Sequence, residues 1–353
     1  MAGMKHKNHP FLERFEKLLK IPAPPGREEA MAEAIRADIE AMGFKCERDA
    51  AGNLLVRFEG AVKKAPAVML AAHMDEIGMT VSRIDPDGRL KVVNSGGLLP
   101  WKIGEHPVVV LGDTKNITGV FSMGSSHGGK AAGQPQDWES THVVTGLSPE
   151  ELKEAGVRPG SSAVPAPEGR GPFLIGSGKD PLVSAWTFDD RAGVVTLLRL
   201  LEMIKRGKVR PVNKLLVCFT VHEEGGCHGA KIAAHREKPE IFVAIDGCPV
   251  VDEAVLKLDG RPGIWSMDFK GHYDQRLVAW FLKVAKQAGT ELQPVIYSKA
   301  SSDASHVYDA GAAPRVAFLG HVRQNSHGFE VARLACFDRV LDVLAAAVSA
   351  GLP

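Results

Sequence analysis

Ala67-Val68-Met69-Leu70-Ala71-Ala72 runs directly into His73-Met74-Asp75-Glu76. Six consecutive apolar residues without alternation predict a strand buried on both faces, the kind found in a parallel sheet covered by helices. Such a sheet collects its functional groups at the carboxyl ends of its strands, so the residues that follow the run are the ones to read. Here they are an imidazole and two carboxylates.

The same pattern recurs outward along the chain. Lys214–Val221 runs out into His222-Glu223-Glu224-Gly225-Gly226, and Ile241–Ile245 ends at Asp246-Gly247. Arg315–Leu319 leads to His321 and then to His327, and Asp189-Asp190-Arg191 stands just before a helical stretch at Ala192–Arg206. Further helices are predicted at Phe11–Lys20, Arg27–Met42, Gly229–His235, Gln275–Ala288 and Phe337–Ala350, with strands at Asn53–Phe58 and Gln293–Tyr297. Strands alternating with helices predict an α/β fold, a mainly parallel sheet sandwiched by helices.

Between Ile77 and Phe173 the texture changes. Thr80–Ile84 and Leu90–Val93 alternate around Asp85-Pro-Asp-Gly88, and Val108–Leu111 and Ile117–Phe121 repeat the pattern around Gly112-Asp113. These are hairpin signals. Helical periodicity is nearly absent apart from Ser148–Ala155, and Gly and Pro are dense between Pro159 and Pro181. The expected organisation is a catalytic domain formed by residues 1–76 and 174–353, interrupted by a small β-barrel-like domain at 77–173.

The bulk composition narrows the function. Lys and Arg number 43 against 42 Asp and Glu, so the basic excess of a nucleic-acid binder is missing. No apolar run approaches the roughly 18 residues of a membrane span, and the N-terminus continues into an amphipathic stretch instead of an export signal. Five scattered cysteines (Cys46, Cys218, Cys227, Cys248, Cys336) without CxxC spacing read as reduced thiols, which makes the cytoplasm the expected location.

Each strand-end group has an ordinary explanation. A lone Asp is usually a turn or cap, a Glu-Glu pair is usually solvated, and Asp-Asp-Arg before a helix can be an N-cap. Five such groups on one edge of one sheet are harder to produce by capping alone. Two divalent ions about 3.5–4 Å apart can clamp a water-derived nucleophile and polarise a carbonyl. Holding them takes a bridging carboxylate plus a carboxylate and an imidazole for each ion, with another carboxylate off the metal as general base. The chain offers His73, Asp189, Glu224, Asp246 and His327 as ligands and Glu223 as base. Asp75, two residues after His73, can accept that imidazole's other N–H. Zinc, cobalt and manganese all suit such ligands.

Ala72-His-Met-Asp-Glu-Ile-Gly78, Phe188-Asp-Asp-Arg-Ala-Gly193, Thr220-Val-His-Glu-Glu-Gly225 and Ala244-Ile-Asp246, taken in order, resemble metallopeptidase family 42. These are the glutamyl or TET-type aminopeptidases, some of which carry a cellulase label. The resemblance covers nearly the whole chain, insertion included, and implies a zinc-exopeptidase-like fold. It makes His73 a ligand of the first ion, Asp189 the bridge, Glu223 the base, Glu224 a ligand and Asp246 the carboxylate on the other ion. It further implies a cis Asp189–Asp190 peptide, zinc or cobalt as the metal, and dimers assembled through the insertion into a tetrahedral dodecamer. The family usually shows a His-Ser or His-Thr with Glu four positions later. Here Arg323-Gln-Asn-Ser-His327-Gly-Phe-Glu330 places the Glu three after, and His327 is preferred as the last ligand over His321 and, more distantly, His306.

The expected function is an aminopeptidase acting on short peptides with a free N-terminus. A two-metal deacylase or carboxypeptidase on the same core is the alternative, since fold does not fix substrate. A non-catalytic scaffold would be expected to lose ligands, and a cellulase would need Glu223 and Glu224 posed as a glycosidase pair.

Overall fold

The computed structural model describes residues 9–125, 127 and 136–353; the first eight residues of the polar N-terminal stretch lie outside these. The apolar run forms the strand Val68–His73, buried along its whole length. It sits between Leu215–Thr220 and Ile241–Pro249, and Arg315–Gln324 follows beyond the latter; all these neighbours are parallel. Thr220 is in register with His73, and Asp246 with Gly320, so the ends of the central strands are brought level.

Among the described residues the sheet has twelve strands and is mixed. Leu54–Phe58 joins Leu215–Thr220 antiparallel, while Phe329–Arg333 and Leu182–Trp186 extend the other side antiparallel. Helix Arg191–Lys205 packs on the central strands together with Leu334–Ala350 and Pro10–Leu19. Helices His228–Glu237 and Asp303–Asp309 form a second packed group on the sheet. The helix Pro10–Leu19 shows how the layers are joined. Phe11 and Phe15 lie on its buried stripe, Phe11 stacked on Phe337 and Phe15 tilted against Phe188, and Phe188 immediately precedes the Asp-Asp pair.

Residues between Val68–His73 and Leu182–Trp186 build a closed six-stranded barrel. Its strands are ordered Gly78–Ile84, Leu90–Ser95, His142–Val144, Asn116–Ser122, His106–Leu111 and Ser162–Pro165. Both expected hairpins are present as antiparallel pairs. In Asn116–Ser122 Ile117 and Phe121 point inward while Thr118 and Val120 point out, the period-two pattern of a half-buried strand. The barrel has its own core, to which Trp186 of the main sheet contributes.

Several elements escaped the sequence reading. Leu182–Trp186, Gly263–Asp268, Phe329–Arg333 and the helix Asp303–Asp309 had no strong signal of their own. Two strands run further than expected: Ile241–Pro249 passes the predicted end at Ile245, and Arg315–Gln324 passes Leu319. The two pair with each other through these extensions, Gly247 with His321 and Pro249 with Arg323. That mutual pairing overrides the Gly residues that read as strand ends.

Candidate metal centre

The strand ends converge on one cavity of about 370 Å³. Asp189, Glu223, Glu224, Asp246 and His327 line it, and buried His73 contacts two of them, with Nε2 2.9 Å from Asp189 Oδ1 and 3.9 Å from Glu223 Oε2. His327 Nε2 lies 3.6 Å from the other Asp189 oxygen and 3.9 Å from Glu224 Oε1. Asp189 therefore stands between two imidazoles, each facing a different oxygen.

Local backbone geometry sets these directions. Glu223 and Glu224 follow the strand Leu215–Thr220, and their N–H groups donate to the two oxygens of Asp75, each at 3.0 Å. Asp75 thus holds the turn carrying the Glu pair. Its contact with His73 is shared: Nδ1 lies 3.1 Å from the Asp75 carbonyl and 3.5 Å from its carboxylate. The Asp189–Asp190 peptide is cis. Asp190 caps helix Arg191–Lys205 through Gly193 N–H, and its second oxygen accepts His73 N–H at 3.3 Å. Both Asp190 oxygens are thereby engaged, which makes it a backbone anchor.

Six described non-glycine residues have positive φ, a conformation uncommon outside turns and strained sites. Five of them, Thr187, His222, Cys227, Asn325 and His327, are on the cavity wall or within two residues of a group that lines it.

The electrostatics are those of crowded acids. Burial, together with Glu224 and Asp303, pushes the Glu223 carboxyl well above the usual range, although His73 opposes it. Burial and Asp189 do the same to Glu224. Asp246 is pushed up to about 7, by burial first and Asp189 second. For Asp189 burial is outweighed by Arg323 and His73, which hold it well below the carboxylate range. His73 is raised, because its bonds to Asp189 and Asp75 outweigh burial.

The donor set suits divalent cations. Ligand atoms of His73, Asp189 and Glu224 lie within 4.8 Å of one another, and Glu224 Oε1 is buried with no hydrogen-bond partner. A buried carboxylate oxygen left unpaired costs free energy that a cation would remove. Carboxylate and imidazole ligands match zinc, cobalt or manganese.

The competing histidines lie elsewhere. His321 is 2% exposed, packed edge-on to Phe188 and tilted against Phe337, and burial pushes it well below its usual pKa. His306 does line the cavity, but its Nε2 is 3.1 Å from Ser301 Oγ, away from the acid cluster.

Some participants were not foreseen. Arg323, 3% exposed, bonds Asp189 Oδ2 through Nη2 and Glu330 Oε1 through Nε at 2.7 Å. Cys227 Sγ lies 3.4 Å from Glu223 Oε1, and Asp303 accepts the Thr220 hydroxyl at 2.7 Å while its other oxygen is unpaired. The spacing of Arg323 and Glu330 around His327 was the visible signal for that pair; nothing local marked Cys227 or Thr220.

The chain is similar to known proteins in sequence and in fold. A glutamyl aminopeptidase of Lactococcus lactis is 32% identical over 249 residues, 68% of each chain. A lysyl aminopeptidase of Pyrococcus furiosus is 30% identical over 239 residues, 66% of this chain and 65% of that protein. Among solved structures, an aminopeptidase of the archaeon Desulfurococcus kamchatkensis superposes with a TM-score of 0.85 at 25% identity, covering 97% of this chain and 95% of the other. The dodecameric PhTET1 superposes with a TM-score of 0.83 at 26% identity, covering 96% and 98%. The M42 glutamyl aminopeptidase family matches residues 52–343, and the chain belongs to this family of metal-dependent peptide hydrolases.

Proposed function

We propose that the chain removes N-terminal residues from short, unblocked peptides at a dinuclear metal centre. The observation that supports this most is the convergence of His73, Asp189, Glu224, Asp246 and His327 on one cavity around Glu223. In this reading Asp189 would be shared by two ions, with His73 and Asp246 holding one and Glu224 and His327 the other. Asp246 is placed with His73, not on the other ion as the resemblance implies, because their ligand atoms lie within 4.8 Å of each other. When bound, two ions of zinc or cobalt, with manganese also suited, would polarise the scissile carbonyl and acidify a water.

Glu223 then carries the proton traffic. It takes a proton from the water whose oxygen bonds to the carbonyl carbon, and returns it to the leaving nitrogen as the C–N bond breaks. Its surroundings favour proton retention, which suits the second step. Asp75 keeps the Glu223 backbone in place and helps set the His73 tautomer.

The cavity is also lined by Lys299, Ser301, His306 and Trp265, and in this reading the first side chain of the substrate lies against them. Among the described residues Lys299 has no direct ion pair, and Glu253, which feels its charge, is already bonded by the N–H and hydroxyl of Ser298. Burial and then Lys270 and Lys231 push His306 down to about 4, so it is neutral at pH 7. One free cation and neutral polar groups favour an acidic first residue over a basic one.

We also read the protein as a homo-oligomer, up to the dodecamer seen for PhTET1. Val93, Val144 and Val120, on adjacent barrel strands, are 42%, 42% and 47% exposed, an apolar outer strip that association would cover. All five cysteines are unpaired, which supports a reducing, cytoplasmic setting. Among the described residues no helix is long and apolar enough to cross a membrane.

The deciding experiment is hydrolysis of free and N-acetylated aminoacyl-p-nitroanilides after chelation and metal add-back. The reading expects metal-restored cleavage of free substrates only, with Glu above Gln and Lys, and loss of the Glu/Gln preference in Lys299→Ala. Release of acetate from the acetylated substrates, with no p-nitroaniline from the free ones, would establish the deacylase instead.

A further inference from the structure

Two of the candidate ligands sit on turns far apart in sequence. Asp189 follows the strand Leu182–Trp186, and His327 lies in the turn between Arg315–Gln324 and Phe329–Arg333. One buried carboxylate spans both. Glu330, with 0% exposure, pairs with Ala185 across the sheet. Its Oε2 accepts the N–H groups of Phe188 at 2.6 Å and Asp189 at 3.3 Å, and the Thr187 hydroxyl at 3.4 Å. Its Oε1 accepts His327 N–H at 3.2 Å and Arg323 Nε at 2.7 Å.

Arg323 completes the bridge. Its Nη2 bonds Asp189 Oδ2, and its Nη1 stands 3.7 Å from Asp246 Oδ1 with no hydrogen bond. Both Glu330 oxygens are occupied by protein donors, so Glu330 is not itself available as a ligand. A contribution to stability alone is a poor explanation, because a buried ion pair is often no more stabilising than apolar residues of the same volume. These bonds end on the two ligand-bearing turns, including the positive-φ residues Thr187 and His327.

We propose that Glu330 and Arg323 are positioning residues for one of the two ions, the one held by Asp189, Glu224 and His327. They orient the Asp189 carboxylate and hold the His327 turn, so that this ligand set is assembled before an ion arrives. The inference rests on the dinuclear reading above. Asp189 is common to both ions, so both depend on the bridge, but unequally: His327, held by Glu330, belongs to one of them, whereas His73 and Asp246 receive no bond from Glu330.

The test is a cobalt(II) titration of the chelated full-length protein, with bound metal measured by equilibrium dialysis and each equivalent followed by its visible absorption. The wild type is expected to take up two equivalents. In Glu330→Gln the equivalent that depends on His327 should bind about 10–100-fold more weakly, the usual range for lost outer-sphere support, and the other, which shares only Asp189 with it, should be weakened less. Arg323→Lys keeps the charge but loses the fork, and should weaken the same equivalent by less. Equal weakening of both equivalents, or of neither, would overturn the proposal. A wild type that binds fewer than two equivalents would overturn the dinuclear reading, and is seen before any variant is made. If Glu330→Gln does not fold, Arg323→Lys decides alone, and an unchanged weaker equivalent there counts against the proposal.

Discussion

The helix-covered sheet lines the cavity and the barrel packs against two of its lining residues, and the two bring opposite things to the centre. The sheet supplies charged groups: three of its strands end in, or lead into, His73, Glu223 and His327, and a fourth carries Asp246 within it. The barrel supplies space. Its strand Leu90–Ser95 runs into Gly96 and Gly97, which lie against Glu224 and His327. A Cβ on Gly97 would stand 2.4 Å from His327 Nδ1, and one on Gly96 would stand 2.9 Å from Glu224 Oε2. One region is therefore constrained by what its side chains do, and the other by side chains it must not have.

The largest effect should come from the sheet side. Glu223→Gln keeps size and most contacts but removes the base, and kcat should fall about 10²–10⁴-fold. Bound metal should be retained by dialysis, and an unchanged kcat would remove Glu223 from the mechanism. On the barrel side Gly97→Ala adds one methyl group, and the His327 ring must shift to admit it. Metal affinity and kcat/KM should drop about 10–100-fold, the scale of a disturbed ligand. If Gly97→Ala behaves like the wild type, the barrel does not shape the centre and the contrast fails.

The smallest effect is a pH dependence confined to the sheet side. Glu223, Glu224 and Asp246 have raised carboxyl pKa values in the metal-free protein, Asp246 near 7 against an ordinary 3.8. A raised group favours the folded state below its unfolded pKa, and that contribution is lost as pH rises through the folded value. Asp189, whose pKa is lowered, acts in the opposite sense, but its change is complete at lower pH. The chelated protein should therefore melt at lower temperature at pH 8 than at pH 5.5, and metal should reduce the difference. Barrel core substitutions such as Val110→Ala should lower the melting temperature at both pH values without altering this slope.

Legibility followed locality. The Val68–His73 strand, both barrel hairpins and most helices could be read because burial and turn chemistry leave a local period in the residues. Leu182–Trp186 and Phe329–Arg333 could not, since they are strands through pairing with each other and with distant partners. The centre divides in the same way. His73, Asp189, Glu223, Glu224 and Asp246 stand in short motifs, whereas Arg323 enters only because the strand bearing it continues five residues past Leu319. Between His321 and His327 spacing was a weak guide; the aromatic packing of His321 is what separates them in space.

The residues by themselves determined that there is a parallel core, that an all-β piece interrupts it, and that acids and imidazoles gather at its strand ends. These are matters of periodicity and of polar groups placed after apolar runs. The tertiary structure alone decided which oxygen of Asp189 faces which imidazole, how Glu330 ties two turns together, and why Gly96 and Gly97 must lack side chains. Those depend on distances between segments more than 100 residues apart in the chain, and no local pattern records a distance.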